Sequence, residues 1–241
     1  MGLKSFFGAA MIAFGIPLWL FVFAVAGKAE NLVVFLSSSF FWLLSLFFTG
    51  CVWRLVTVKS DDQNWQLFIG VIVAILFQEL FRYFFYRVIR RGERFAQELG
   101  VPIVYGPKLA FIAGLGYGVA SGAFAFFNVL ADSVGPGSVW DSDDGVDGVK
   151  GGFFLISAFH VLCFILLNTA LGIIWFAGFE KKSWMMIAIA AVIHLIASLF
   201  TAGSSVSGIA ALSLVPNYFI LAGTVMYAFR TSGIGPGICC K

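Results

Sequence analysis

Gln78, Glu79 and Arg82 interrupt a stretch that is otherwise almost wholly aliphatic and aromatic. A charge placed in the hydrocarbon of a bilayer costs at least about 2.5–3.5 kcal/mol, so such residues require partners. Glu79 and Arg82 stand three residues apart and share a helix face, which permits a self-satisfied ion pair. The other reading is a polar knot with another helix or subunit, whereas intramembrane ion pairs more often serve only to satisfy each other. The two histidines, His160 and His194, also lie in apolar runs, and the amide Asn168 follows His160 by eight residues. Isolated polar groups of this kind act as hydrogen-bonding glue between helices more often than as proton or metal sites.

The chemistry open to these residues is narrow. An intramembrane aspartyl protease needs two carboxyl groups sharing a proton, and no Asp lies well inside any apolar run. A zinc protease needs H-E-x-x-H, whereas neither His160 nor His194 is followed by Glu. A rhomboid-like serine site wants G-x-S-G, but Val119 precedes Ser121-Gly122 and Ser205 precedes Ser207-Gly208 where the first Gly belongs. No cofactor or metal is therefore expected. Cys51, Cys163, Cys239 and Cys240 are too few and too scattered for a disulfide framework. Cys239 and Cys240, in a short tail behind Arg230, are placed where palmitoylation is feasible.

A second signal concerns shape. Ala110, Gly114, Gly118 and Gly122 recur every fourth residue, with Gly116 and Ser121 beside them. Small residues at that spacing form one groove along a helix and let another backbone approach closely, which is how helices associate in lipid. The groove alone leaves open whether this chain or a partner fills it.

The elements that must carry these residues follow from composition. The chain has 241 residues, 61% of them hydrophobic and only 11% charged, with mean hydropathy +0.98. That is the composition of a membrane protein. Apolar runs at approximately 5–26, 32–53, 67–89, 109–131, 152–178, 184–202 and 209–229 predict a single all-α domain, 1–241, of seven transmembrane helices. The first run is longer than a signal-peptide core and contains Pro17, so it reads as a retained span. In this arrangement Lys4, Arg54, Lys59 and Lys150 face one side, while Lys28, Arg87, Arg90, Arg91, Arg94, Lys108, Lys181, Lys182, Arg230 and Lys241 face the other. The positive-inside rule then predicts a lumenal or extracellular N-terminus and a cytosolic C-terminus. The net charge of +3 belongs to this topology and forms no nucleic-acid face. The Asp-rich connector 132–151 is expected to be a translocated loop; a calcium loop begun at Asp141 fails because its sixth position is Val146. Rhodopsin-like receptors do not fit either: the seventh run lacks a Schiff-base Lys, and Pro216-Asn217-Tyr218 is not N-P-x-x-Y.

Taken in order, several of these motifs resemble the anterior-pharynx-defective family, the multi-pass scaffold of the gamma-secretase intramembrane protease. Gln78-Glu79 with Arg82 resembles the family's third span, and Gly114, Gly118 and Gly122 fall on its tandem GxxxG. Asn128-Val129-Leu130-Ala131-Asp132 before Gly135-Pro136-Gly137 resembles the exit from its fourth span. Ser157-Ala158-Phe159, His194-Leu195 and Ser213-Leu214 with Pro216 and Tyr218 continue the match. One departure is Leu166-Leu167-Asn168-Thr169, where the family usually places His at the third position. Asn donates and accepts hydrogen bonds but does not titrate near neutral pH.

The resemblance implies a non-catalytic scaffold that stabilises presenilin and nicastrin, together with the presenilin-enhancer subunit, for cleavage of type I membrane proteins such as Notch and amyloid precursor protein. It implies residence in endoplasmic reticulum, Golgi, plasma membrane and endosomes. In that reading Gly114, Gly118 and Gly122 admit a close helix that positions the complex, and Asn168 with His194 makes a polar contact near presenilin. The rival expectation is a small secondary transporter or channel with Glu79, Arg82 and His194 lining a polar path.

Overall fold

The computed structural model describes residues 3–57, 63–101, 104, 106–134, 152–207 and 210–232. The Asp-rich connector past Val134 and the Cys239–Cys240 pair lie outside these residues. The described residues form α1 (Leu3–Ala24), α2 (Ala29–Thr57), α3 (Gln63–Glu98), α4 (Gly106–Val134), α5 (Gly152–Glu180), α6 (Trp184–Ser207), a 3₁₀ turn (Ala210–Ser213) and α7 (Leu214–Ser232). Among them there is no strand.

Six helices, α1 to α6, are long and apolar enough to cross a bilayer. The seventh run does not form one continuous helix over 209–229 as expected, because α7 begins only at Leu214 after the 3₁₀ turn. Pro216 explains the late start: it has no N–H and its ring clashes with the carbonyl four residues earlier, so it is tolerated only in a helix's first turn. At the other extreme α3 runs nine residues past the expected limit of 89 to Glu98. Arg, Glu, Gln and Ala are good helix formers, so the helix continues where the apolar run stops.

α5 is the hub. Its apolar stretch is 83% buried, against 61% for α4 and 17–28% for α1, α2, α3 and α6. It packs on α4, α7, α1 and α6, while α3 lies outside, against α2 and α6. A helix apolar all round belongs in such a position. One face of α5, through Ala158, Val161 and Ile165, joins a core shared with α1, α2 and α4 and with Phe85 of α3. Another, through Leu167, Leu171 and Ile174, joins a core shared with α6 and α7. The outer faces are apolar too: Phe127 is 73% and Phe219 75% exposed, as suits contact with lipid.

Tight connections hold the register. Asn31 Nδ2 donates to the Ala24 carbonyl at 2.8 Å and so satisfies one of the open carbonyls at the end of α1. α5 ends with Ser183 N–H on the Gly178 carbonyl at 2.9 Å and Lys182 at φ 52°. This is the left-handed cap geometry usually held by Gly. α3 ends the same way, with Gly100 at φ 66° and Val101 N–H on the Ala96 carbonyl at 3.0 Å.

Candidate functional site

The four helices α3, α4, α5 and α6 meet around one buried polar cluster. Arg82 Nε lies 3.3 Å from Glu79 Oε2, an ion pair by distance whose angle falls outside hydrogen-bond geometry. Glu79 is completed from α6, where His194 Nδ1–H donates to its Oε1 at 2.5 Å. Arg82 is completed from α5: its Nη2 donates to Asn168 Oδ1 at 2.8 Å and its Nη1 to the Asn168 carbonyl at 3.3 Å. The guanidinium also stacks over the Tyr117 ring of α4 at 4.3 Å. Tyr117 OH in turn donates to the Gln78 carbonyl at 2.6 Å. Asn168 Nδ2 donates to the Phe164 carbonyl at 3.1 Å and to Ser121 Oγ at 3.4 Å.

Arg82, Asn168 and His194 are each at most 3% exposed, and Arg is suited to such a place because its planar fork binds an amide and stacks on an aromatic face together. The pair Glu79–Arg82 is therefore not closed on itself. It ties α3 to three other helices, and the side chain of Gln78 takes no part in the ionic contacts but faces an adjoining cavity. That cavity, about 410 Å³, is lined by Trp42, Gln78, Ser121, Asn168, His194 and Thr201, with His160 at its wall.

A second polar set pins the 3₁₀ turn and the start of α7. His160 Nδ1–H donates to the Ile156 carbonyl at 3.1 Å, and its Nε2 accepts from Ser213 Oγ at 2.7 Å. Tyr218 OH donates to the Phe159 carbonyl at 3.1 Å, and Asn217 Nδ2 donates to Thr201 Oγ1 at 2.9 Å.

The glycine groove of α4 is filled from within. A Cβ at Gly114 would stand 2.6 Å from the Thr169 carbonyl oxygen, one at Gly118 2.5 Å from that of Ile165, and one at Gly122 2.5 Å from the Ile165 side chain. Of the two occupants that the spacing left open, this chain or a partner, α5 of the same chain stands in the groove. The physical reason is complementarity: α5 supplies its own glycine, since a Cβ on Gly172 would meet the Gly114 Cα at 2.7 Å. Gly116 points the other way, toward the Phe35 carbonyl of α2, and Ser39 Oγ donates to the Gly116 carbonyl at 2.9 Å. Groove and polar cluster are adjacent, because a Cβ at Gly118 would also press on Asn168 Cβ at 3.3 Å.

The structure therefore brings Glu79, Arg82, Asn168 and His194 into direct contact, places Gln78 beside them, and sets Gly118 against Asn168, with Gly114 against Thr169 and Gly122 against Ile165. Sequence reasoning missed Tyr117, Gly172 and Ser39. Tyr117 carried a signal, as a large aromatic one residue before Gly118 in a stripe of small residues. Gly172 and Ser39 carried none without knowledge of which helices adjoin.

Apolar helices around a buried hub, with intramembrane charges engaged in bridging one another, define an all-helical integral membrane protein. Its relatives narrow that class. A sequence model described as "Aph-1 protein" matches residues 4–234. The human protein named gamma-secretase subunit APH-1B is 37% identical over 236 residues, covering 95% of this chain and 88% of the relative. The Drosophila melanogaster gamma-secretase subunit Aph-1 is 36% identical over 239 residues, covering 97% and 94%. An Arabidopsis thaliana protein named gamma-secretase subunit APH1-like is 32% identical over 201 residues, covering 80% and 79%. The chain belongs to the Aph-1 family. The transporter or channel reading finds no support in these relatives.

Proposed function

We propose that the chain is the non-catalytic assembly subunit of a gamma-secretase, holding presenilin and nicastrin, with the presenilin-enhancer subunit, in a complex that cleaves type I membrane proteins such as Notch and amyloid precursor protein. The observation that carries this reading is the environment of Glu79. Its carboxylate faces an imidazole and a guanidinium, both buried. An aspartyl protease needs a second carboxyl group there to share a proton. The names of the relatives point the same way.

In this reading α4 and α5, locked by their glycines, are the rigid centre on which outer helix faces are displayed to partners. Asn168 and His194, at the wall of the 410 Å³ cavity, give a presenilin segment polar groups to meet. The chain crosses the bilayer seven times, α7 included, with its N-terminus lumenal or extracellular and its C-terminus cytosolic. It acts in endoplasmic reticulum, Golgi, plasma membrane and endosomes.

Affinity isolation in mild detergent tests this. The wild-type chain is expected to bring down stoichiometric presenilin and nicastrin, and Gly118→Leu with Gly122→Leu, which separates α4 from α5, is expected to lose them. Proteolysis or solute flux by the isolated chain without companions would overturn the proposal.

A further inference from the structure

α3 is 36 residues long, or about 54 Å at 1.5 Å per residue, against about 40–45 Å for a whole bilayer with its headgroups. Its last turns present two neighbouring stripes outward. One is apolar: Phe84, Val88 and Phe95, with Leu99 just past the helix end, are 42%, 52%, 64% and 63% exposed. The other is cationic, with Arg87, Arg91 and Arg94 all exposed. The apolar stripe is poorly suited to water, so a tilted α3 keeps this end within the interface and lays its stripes along the lipid.

Of the acidic groups nearby, Glu98 stands exposed at the end of the cationic stripe and leaves it a net charge of +2, whereas the other two are drawn away from it. Glu93 is buried and bound to Arg90 at 2.7 Å, and Arg90 also holds Glu180 at the end of α5. Arg87 donates to the Tyr83 hydroxyl at 2.8 Å and Arg94 to the Arg90 carbonyl at 3.4 Å. Among the described residues none of Arg87, Arg91 and Arg94 pairs with a carboxylate. The same end gathers further cations, since Lys181 Nζ donates to the Thr231 carbonyl at 3.0 Å and so joins the α5–α6 turn to the end of α7, beside Arg230.

We propose that the outer face of α3 from Phe84 to Leu99 binds anionic phospholipid, with Phe95 and Leu99 among the acyl chains and Arg87, Arg91 and Arg94 on the phosphates. Guanidinium forks bind phosphate oxygens in pairs, and each surface cation contributes about a fivefold preference for an anionic leaflet.

The full chain, reconstituted in nanodiscs of phosphatidylcholine with phosphatidylserine as the anionic probe, tests this by native mass spectrometry of retained lipid. Wild type is expected to retain phosphatidylserine several-fold over its share, less so at high salt. Arg87→Gln/Arg91→Gln/Arg94→Gln is expected to fall to parity, Arg91→Gln alone to fall part of the way, and the triple Arg→Lys variant to keep most of the preference. Parity in wild type, or an undiminished preference in the triple Gln variant, would overturn the proposal. A photoreactive benzoylphenylalanine in place of Phe95 gives an independent readout. Its capture of phospholipid supports the proposal, and its capture of another protein in the assembled complex overturns it.

Discussion

Arg82 is the residue on which most of the buried polarity converges. It has one ionic partner on its own helix, two acceptors on α5 and one aromatic face on α4. Replacing a buried charged group's partner leaves the remaining group desolvated and unsatisfied, which costs about 2–3 kcal/mol. Asn168→Leu is expected to lower stability by that amount, because the guanidinium then keeps only the backbone carbonyl on α5. Arg82→Met and Glu79→Gln are each expected to destabilise, and the double variant to be less unstable than the sum by at least about 1 kcal/mol. Thermal unfolding of the detergent-solubilised chain measures the cycle; simple additivity would show that the two groups are not coupled. His160 is no clean substitute for the histidine that the family usually places at position 168. Eight residues at 3.6 per turn rotate Asn168 from His160 by about 80°, and in the structure His160 holds Ser213 of the 3₁₀ turn while Asn168 holds Arg82 of α3.

At the scale of elements, α4 is defined by what its missing side chains admit. Gly118→Ala is expected to destabilise by about 1–3 kcal/mol, since the new methyl meets the Ile165 backbone and no rotamer change relieves it. Gly223→Ala in α7 is the control: nothing stands within 4 Å of its Cβ, so the change is expected to be neutral or to stabilise by about 0.5–1 kcal/mol through the unfolded state. Equal effects at the two positions would mean that the α4–α5 contact is not close-packed in the membrane. The existence of these helices was legible from length and apolarity. Their ends were less so: α3 outlasts its apolar run because Arg-rich sequence is still helical, and α7 starts late because of Pro216.

At the scale of the whole molecule, crossing number and orientation are linked. Six described helices meet the length and apolarity of a span and α7 has 19 residues. Seven crossings put the termini on opposite sides, whereas six put them on the same side. A glycosylation acceptor appended to the N-terminus is expected to be modified in microsomes and one appended to the C-terminus to remain bare. Modification of both or of neither would remove α7 from the count of crossings.

The sequence by itself determined that this is a helical membrane protein, which residues are too polar to stand alone in lipid, and where a helix has a notch. Each of those is a local property: transfer from water depends on composition over a few turns, and side-chain size on single positions. Only the tertiary structure decided that α5 fills the notch of α4, that Glu79 answers to His194 rather than to Arg82 alone, and that Asn168 faces Arg82. A glycine groove accepts any close backbone and a buried charge any suitable partner, so these choices are set by which helices adjoin. That adjacency comes from packing the whole bundle around α5.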